Sequence, residues 1–363
     1  MPKYKKRADG RYATSVTYAG RKFYFNAKTS AELDRKVQEF KIAKRSGLYS
    51  SDMPLKDWTA SWLASVQCSV EPTTYASYTS YINKHILPRL GEYALCDIQP
   101  ANIRDFMVAV SRTLCSNTAG RVYAILKRIL QTAVDDDMLA KTPMRGIKAP
   151  AKKLKKPRVV LTDEQCKHYL QWLQESKHPE DKLMIMLAII SGLRRGEILG
   201  LRAQDVDFGR KTITVRQVIK KIDHQLVISP RPKTSTSRRT VSLPETIFPL
   251  LKAKIRANRL KAMQDEKWQP NDLLFPAAHG LPMSVDAISQ AVRRSGHRAG
   301  LPDGFSLHSL RHTSATLLLK NGVNVKVVQQ RLGHSNASTT LNIYSHVLPG
   351  EDEKAAETLA NII

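Results

Sequence analysis

The sequence predicts a multidomain α+β chain: a small three-stranded sheet with one helix, then an all-helical bundle, then a mainly helical domain carrying a small antiparallel sheet. Three observations predict it. Short alternating runs punctuated by Asp9-Gly10 and Ala19-Gly20 occupy the first stretch, and apolar residues recur at helical spacing from residue 53 to 148. A Pro- and Lys-rich run then separates that stretch from a longer one in which helical and strand patterns mix.

Residues 1–47 are expected to form a first domain. Strand-like runs at 4–7, 11–18 and 21–25 put Tyr12, Thr14, Val16 and Tyr18 on one face, and a helix follows in which Ser30 caps and Leu33, Val37 and Phe40 repeat. Lys5, Lys6, Arg7, Arg11, Arg21, Lys22 and Lys28 edge this sheet. A two- or three-stranded ribbon can enter a DNA major groove, which makes Lys5, Lys6, Arg21 and Lys22 the candidate DNA contacts. A basic protein-contact module would share the same charge.

Residues 53–148 read as a four-helix pattern. Leu55, Trp58, Trp62, Leu63 and Val66 make one apolar stripe, and Tyr75, Tyr78, Tyr81 and Ile82 a second. Ile103, Phe106, Met107 and Val110 make a third, and Val122, Ile125, Leu126, Ile129, Leu130 and Val134 the last. Pro72, Pro88, Gly91 and Pro100 are expected to mark breaks. Lys84, His85, Arg89, Arg112, Arg121, Lys127 and Arg128 fall on the opposite faces, where they could meet phosphates or water. The linker, 149–159, holds Pro150 and Pro157 among Lys152, Lys153, Lys155, Lys156 and Arg158. Such a run cannot pack a core but can lie along a phosphate backbone.

Composition narrows the partners. The 363 residues carry 58 Lys and Arg against 32 Asp and Glu, a net charge of +26, which favours a polyanion, most commonly nucleic acid. The strongest apolar run, 183–190, is too short to span a bilayer, and the basic N-terminus has no apolar segment behind it. Cys68, Cys96, Cys115 and Cys166 are scattered, as expected for reduced, mostly buried thiols of a cytosolic protein.

The last unit, 160–363, begins with a helix-start signal, Leu161-Thr162-Asp163-Glu164-Gln165. The apolar helix around 183–190 delivers Ser191-Gly192-Leu193-Arg194-Arg195-Gly196-Glu197-Ile198-Leu199. Strand-like segments at 212–218, 226–229 and 239–243 follow, the last two separated by a polar turn holding Lys233. A helix from Ser309, with Leu310, Leu317, Leu318 and Leu319 inward, should end at Asn321-Gly322, and a second, capped by Asn324, should stop at Gly333. Ser338 can cap a third over 339–346. His308 and Arg311 share a helix face if the helix has begun by then. The tail, 351–363, has the pattern of one more short helix.

The joint pattern is more specific than its parts. His308-x-x-Arg311-His312, then Leu332-Gly333-His334-Ser335, then Thr339-Thr340 and Tyr344 resembles the C-terminal signature of the tyrosine recombinases, the phage-integrase family of site-specific DNA recombinases. The 191–199 stretch resembles the family's first box, which matches its arginine to Arg194 and an orienting carboxylate to Glu197. The polar turn resembles the hairpin that carries the family's lysine, matched here by Lys233. The Tyr78 to Gly91 motif looks like the core-binding domain, and residues 1–47 resemble the arm-type DNA-binding domain of integrases from conjugative transposons and some phages.

The resemblance implies a catalytic set of Arg194, Lys233, His308, Arg311, His334 and Tyr344, with Tyr344 the nucleophile. It implies an arm-binding domain at 1–47, a core-binding domain at 53–148 and a catalytic domain at 160–363 whose tail contacts a neighbouring protomer. The implied partners are double-stranded DNA at core-type and arm-type sites, a homotetramer on that DNA, a directionality factor and a host DNA-bending protein. The implied location is the bacterial cytoplasm, at the nucleoid when acting.

No cofactor or metal is expected: His308 and His312 are four apart, but Arg194, Arg311 and Lys233 would repel a cation, and no Glu completes a zinc motif. An Xer-type resolvase, whose relatives generally lack the N-terminal domain, or a type IB topoisomerase, which would not need an arm domain, is one alternative. A catalytically silent DNA-binding regulator is the other, and would bind DNA without a covalent adduct.

Overall fold

The computed structural model describes residues 4–7, 10–18, 21–45, 51–151, 159–175, 179–223, 225–230, 239–333 and 360. The chain forms two compact units, Met1–Lys155 and Lys156–Ile363.

In the first unit, β1 (Lys5–Lys6), β2 (Tyr12–Tyr18) and β3 (Arg21–Ala27) make an antiparallel sheet in that order, followed by α1 (Ser30–Arg45). Leu33, Val37 and Phe40 of α1 are buried. Tyr18, Phe23 and Phe25 set their rings 6.5, 4.8 and 5.0 Å from that of Phe40, so the face carrying Tyr12, Thr14, Val16 and Tyr18 is the helix side, as the alternation predicts. Register divides the basic residues. Lys6 pairs with Tyr12 and Arg21 with Tyr18, positions of the helix side, whereas Lys5 pairs with Ala13 and Lys22 with Thr17, positions of the open side.

The helical part holds α2 (Leu55–Val66), α3 (Pro72–Tyr81), α4 (Leu87–Leu90), α5 (Pro100–Thr113) and α6 (Ser116–Asp135). Their predicted stripes meet in one core through Trp62, Ile82, Ile103, Leu126 and Leu130. The indole N–H of Trp58 donates to the Ile129 carbonyl at 3.1 Å and that of Trp62 to Thr132 Oγ1 at 3.2 Å, so both buried indoles are satisfied.

Pro72 and Pro100 start helices as expected, but Pro88 breaks none. A wide π-helical turn over Ile82–Ile86 carries the chain from α3 straight into α4, and such a turn absorbs the register lost where a proline has no N–H. Arg128 Nη1 donates to Tyr78 Oη at 2.9 Å, so this guanidinium is tied to α3 through Tyr78 rather than left wholly to solvent.

In the second unit, Thr162 and Gln165 cap each other's backbone N–H at the head of α7 (Asp163–Glu175), and α8 (Pro179–Ser191) and the short α9 (Arg195–Leu199) follow. The predicted strand over 212–218 is two strands in different sheets. β4 (Val206–Asp207), β5 (Thr212–Val215) and β8 (Arg239–Ser242) form one sheet, and β6 (Gln217–Ile222) and β7 (Gln225–Pro230) the other. The chain changes sheets at Arg216, whose Nε lies 3.3 Å from the buried carboxylate of Asp205.

Next come α10 (Phe248–Gln264), α11 (Val285–Arg298), α12 (Leu307–Lys320) and α13 (Val325–Leu332). Tyr169, Ile185, Leu187, Ile213, Leu274, Ile288 and Leu310 are among the residues of their common core. The Tyr169 hydroxyl meets Ser295 Oγ at 2.6 Å, and burial pushes its pKa up to about 12.

The thiols are less buried than expected. Cys166 is buried, Cys96 half-buried, and Cys68 and Cys115 exposed, because the last two sit at helix ends of the bundle rather than on its apolar stripes. Among the described residues no helix is long and apolar enough to cross a membrane.

Candidate active site

Helix α12 begins at Leu307, behind the N-cap Ser306, so His308 and Arg311 do stand one turn apart on it. His308 is exposed and Arg311 half-buried. Arg311 reaches across to two other segments: Nη1 donates to the Gly192 carbonyl at 2.5 Å and Nη2 to the Leu332 carbonyl at 2.7 Å. Gly192 ends α8 with φ +64, and a Cβ there would lie 2.3 Å from a Leu332 methyl. Only glycine fits that turn.

The turn delivers Arg194, the N-cap of α9. Its backbone N–H donates to Glu197 Oε2 at 2.9 Å, its Nη1 to Glu197 Oε1 at 3.0 Å, and its Nη2 to the Gly333 carbonyl at 2.8 Å. Glu197 is therefore the orienting carboxylate that the sequence suggested. It is 1% exposed, against 42% for the Arg194 side chain.

A second arginine shares Glu197. Arg239, on β8, donates from Nη1 to Oε1 at 3.2 Å and from Nη2 to Oε2 at 2.7 Å, while its Nε donates to the Arg331 carbonyl at 2.8 Å. Burial pushes the Glu197 carboxyl up, but hydrogen bonds and charge from Arg239 and Arg194 outweigh it and hold the pKa at about 2.

Three consecutive carbonyls at the end of α13 thus accept from three guanidiniums: Arg331 from Arg239, Leu332 from Arg311, Gly333 from Arg194. A helix C-terminus leaves its last carbonyls unpaired and carries partial negative charge, so cations converge there without needing a carboxylate each. Arg331 does the same for α8, donating from Nη2 to the Ile190 carbonyl at 2.9 Å. Gly333 is left-handed, φ +66, as the sequence expected of a helix stop.

The structure therefore brings Arg194 and Arg311 to neighbouring peptide units, with His308 one turn from Arg311. Lys233, His334 and Tyr344, the third short helix and the tail helix lie outside the described residues. Arg195 is exposed, its Nη1 3.5 Å from Asp286. Lys5, Lys6, Arg21 and Lys22 belong to the first unit's sheet. Arg239 escaped the sequence reading, although period 2 along β8 sets it on the same face as buried Val241. An arginine on an inward strand position was the available signal. Chemically, two guanidiniums held at adjoining peptide units, with an imidazole one turn from the second, are groups that suit the non-bridging oxygens of a phosphodiester.

The model for the Phage integrase family matches residues 159–351. The chain belongs to the phage integrase family. A second model, for the N-terminal SAM-like domain of phage integrases, matches residues 55–109 of this family member, within the helical bundle. This integrase-family chain is 31% identical over 360 residues to a protein named "Tyrosine recombinase XerC-like" from Caldanaerobacter subterraneus subsp. tengcongensis, covering 93% of this chain and 91% of that protein. It is 27% identical over 346 residues to the ICEBs1 integrase of Bacillus subtilis, covering 92% and 88%.

Its fold matches that of the Tn1549 transposon integrase solved with transposon right-end DNA. The TM-score is 0.73 at 23% identity, over 85% of this chain and 100% of that one. A lambda integrase tetramer solved on a Holliday junction superposes with a TM-score of 0.57 at 16% identity, over 93% and 94%. The integrase is a tyrosine recombinase, an enzyme that cleaves and rejoins DNA.

Proposed function

We propose that this recombinase integrates and excises a mobile element through a 3′-phosphotyrosine on Tyr344 and a Holliday junction, working as a homotetramer on core-type and arm-type DNA sites. One observation carries the reading: Arg194 and Arg311 donate to the adjoining carbonyls of Gly333 and Leu332, immediately before His334 in the chain. Two arginines fixed in that way can share one phosphate. Further support comes from relatives named as integrases, and from the lambda enzyme solved as a tetramer on a Holliday junction. A directionality factor and a host DNA-bending protein complete the proposal as accessory partners, and the site of action is the nucleoid.

The chemistry follows from the residue types. Tyr344 Oη attacks phosphorus, its proton passing to His308, since a phenol of pKa about 10 is otherwise protonated. Charge grows on the non-bridging oxygens, where Arg194, Arg311 and His334 donate. The P–O5′ bond breaks and the leaving oxygen takes a proton from Lys233, giving a phosphotyrosine and a free 5′-hydroxyl. A partner strand's 5′-hydroxyl then reverses the step.

The test is a suicide duplex, nicked beside the scissile phosphate and carrying the element's own end, resolved on a denaturing gel. Wild type should give a covalent protein-DNA band and Tyr344→Phe none. DNA binding with no adduct from wild type would move the silent regulator ahead.

A further inference from the structure

We infer that Arg239 is a positioning residue of the strand-cleavage site, acting on Arg194 through Glu197 and through the end of α13, and not on DNA. The inference deepens the recombinase reading and rests on it. The Arg239 side chain is 7% exposed, so its own charge is not offered to a phosphate. All three of its guanidinium nitrogens are engaged, two on Glu197 and one on the Arg331 carbonyl.

Charge arithmetic gives the arrangement a purpose. Arg194 with Glu197 alone is a neutral pair, and a neutral pair stabilises a phosphorane poorly. Adding buried Arg239 gives the trio a net charge of +1. The exposed member of the trio is Arg194, so that is where the charge meets solvent and substrate. The carboxylate can then orient Arg194 without cancelling it.

Geometry adds a second link. Arg239 fixes the Arg331 carbonyl while Arg194 takes that of Gly333, so one residue's displacement disturbs both the guanidinium and the turn that precedes His334. A Cβ on Gly333 would lie 2.7 Å from Arg239 Nη1, which shows how closely the turn is laid on this side chain. Stability alone explains such a pair poorly, because well-packed apolar residues often replace a buried ion pair at no loss.

The experiment uses the full chain on the suicide duplex, measuring single-turnover adduct formation at saturating protein, with DNA affinity and active fraction taken from a binding titration. Arg239→Met should slow cleavage about 100-fold, as for loss of a preorganised donor, and Arg239→Lys, which restores charge without the fork, about 10-fold, with affinity unchanged in both. A second substrate carries a methylphosphonate at the scissile position, where one non-bridging oxygen and its charge are gone. The same diastereomer that relieves Arg194→Ala should relieve Arg239→Met, which no merely structural defect would do.

Arg239→Lys decides the matter where Arg239→Met fails to fold. Wild-type cleavage by Arg239→Lys, a loss that merely tracks its folded or DNA-binding fraction, or the absence of methylphosphonate relief would each overturn the inference. Absence of any Tyr344-dependent adduct from wild type is a separate result, and it removes the recombinase reading first.

Discussion

Arg194 and Gly333, 139 positions apart in the chain, are joined by a hydrogen bond of 2.8 Å from guanidinium to carbonyl. Gly333 can present that carbonyl because it is left-handed, and because it lacks a side chain where Arg239 lies against it. Gly333→Ala meets both constraints at once. Left-handed strain alone costs about 1–2 kcal/mol, and the clash adds to it. Urea unfolding of the second unit should show at least that loss, with single-turnover adduct formation on the suicide duplex slowed at least about 10-fold, since the Arg194 guanidinium loses a fixed partner. A stable, fully active Gly333→Ala protein would show that the turn has other ways to form.

Glu197 makes stability depend on acid. Its pKa falls from 4.5 to about 2, since Arg239 and Arg194 outweigh a burial that acts the other way. A carboxylate depressed on folding contributes stability that is fully present above its unfolded pKa and lost as pH drops through the folded one. The window is therefore pH 4.5 down to about 2, and the amount on the order of 3 kcal/mol. Glu197→Gln should be less stable than wild type at pH 7 but flatter across that window. Parallel acid-unfolding curves for the two proteins would contradict the ion-pair account.

Much of this was legible in the sequence because it is periodic. The end of α12 and both boundaries of α13 follow from Asn321-Gly322, Asn324 and Gly333, residues whose backbone preferences are local, whereas α12 starts two residues before the expected Ser309. Glu197 was legible too, being one turn from Arg194. What could not be read is what depends on distant partners. Arg239 finds Glu197 42 positions away, and nothing local distinguishes it from the adjoining Arg238 except strand parity. The change of sheet at Arg216 and the continuation through Pro88 were hidden for the same reason: hydropathy records burial, whereas a sheet switch or a π turn changes pairing and leaves burial intact.

The helical bundle makes a prediction that separates scaffold from chemistry. Leu126 on α6 is completely buried in the first unit's core. Leu126→Ala should cost about 2–5 kcal/mol, the usual range for such a cavity. The loss should appear in the unfolding of the Met1–Lys155 unit expressed alone, whereas the tryptophan and tyrosine signals of an isolated Lys156–Ile363 unit are untouched by definition. In the full chain, DNA affinity should fall on heating at a lower temperature than in wild type. Unchanged melting of the first unit would mean that this core repacks around the missing side chain.

We propose the first unit's sheet as a DNA contact; it has two sides, and register tells them apart. Lys22, Tyr24 and Asn26 alternate on the side away from α1, opposite Thr17, Ser15 and Ala13, and Tyr24 is 75% exposed. Lys6 instead pairs with Tyr12 on the α1 side, its Nζ 5.8 Å from that ring. A strand ribbon that lies in a groove presents one side to the bases and phosphates, and the open side has both a cation and an aromatic free to approach. Lys22→Ala should therefore weaken binding of the full chain to an arm-type duplex and lower the slope of log affinity against log salt by about 1, while Lys6→Ala should change that slope little. Fluorescence anisotropy between low and moderate salt measures both. Equal slopes for the two variants, or a larger change for Lys6→Ala, would place the DNA on the helix side of the sheet and reverse the assignment.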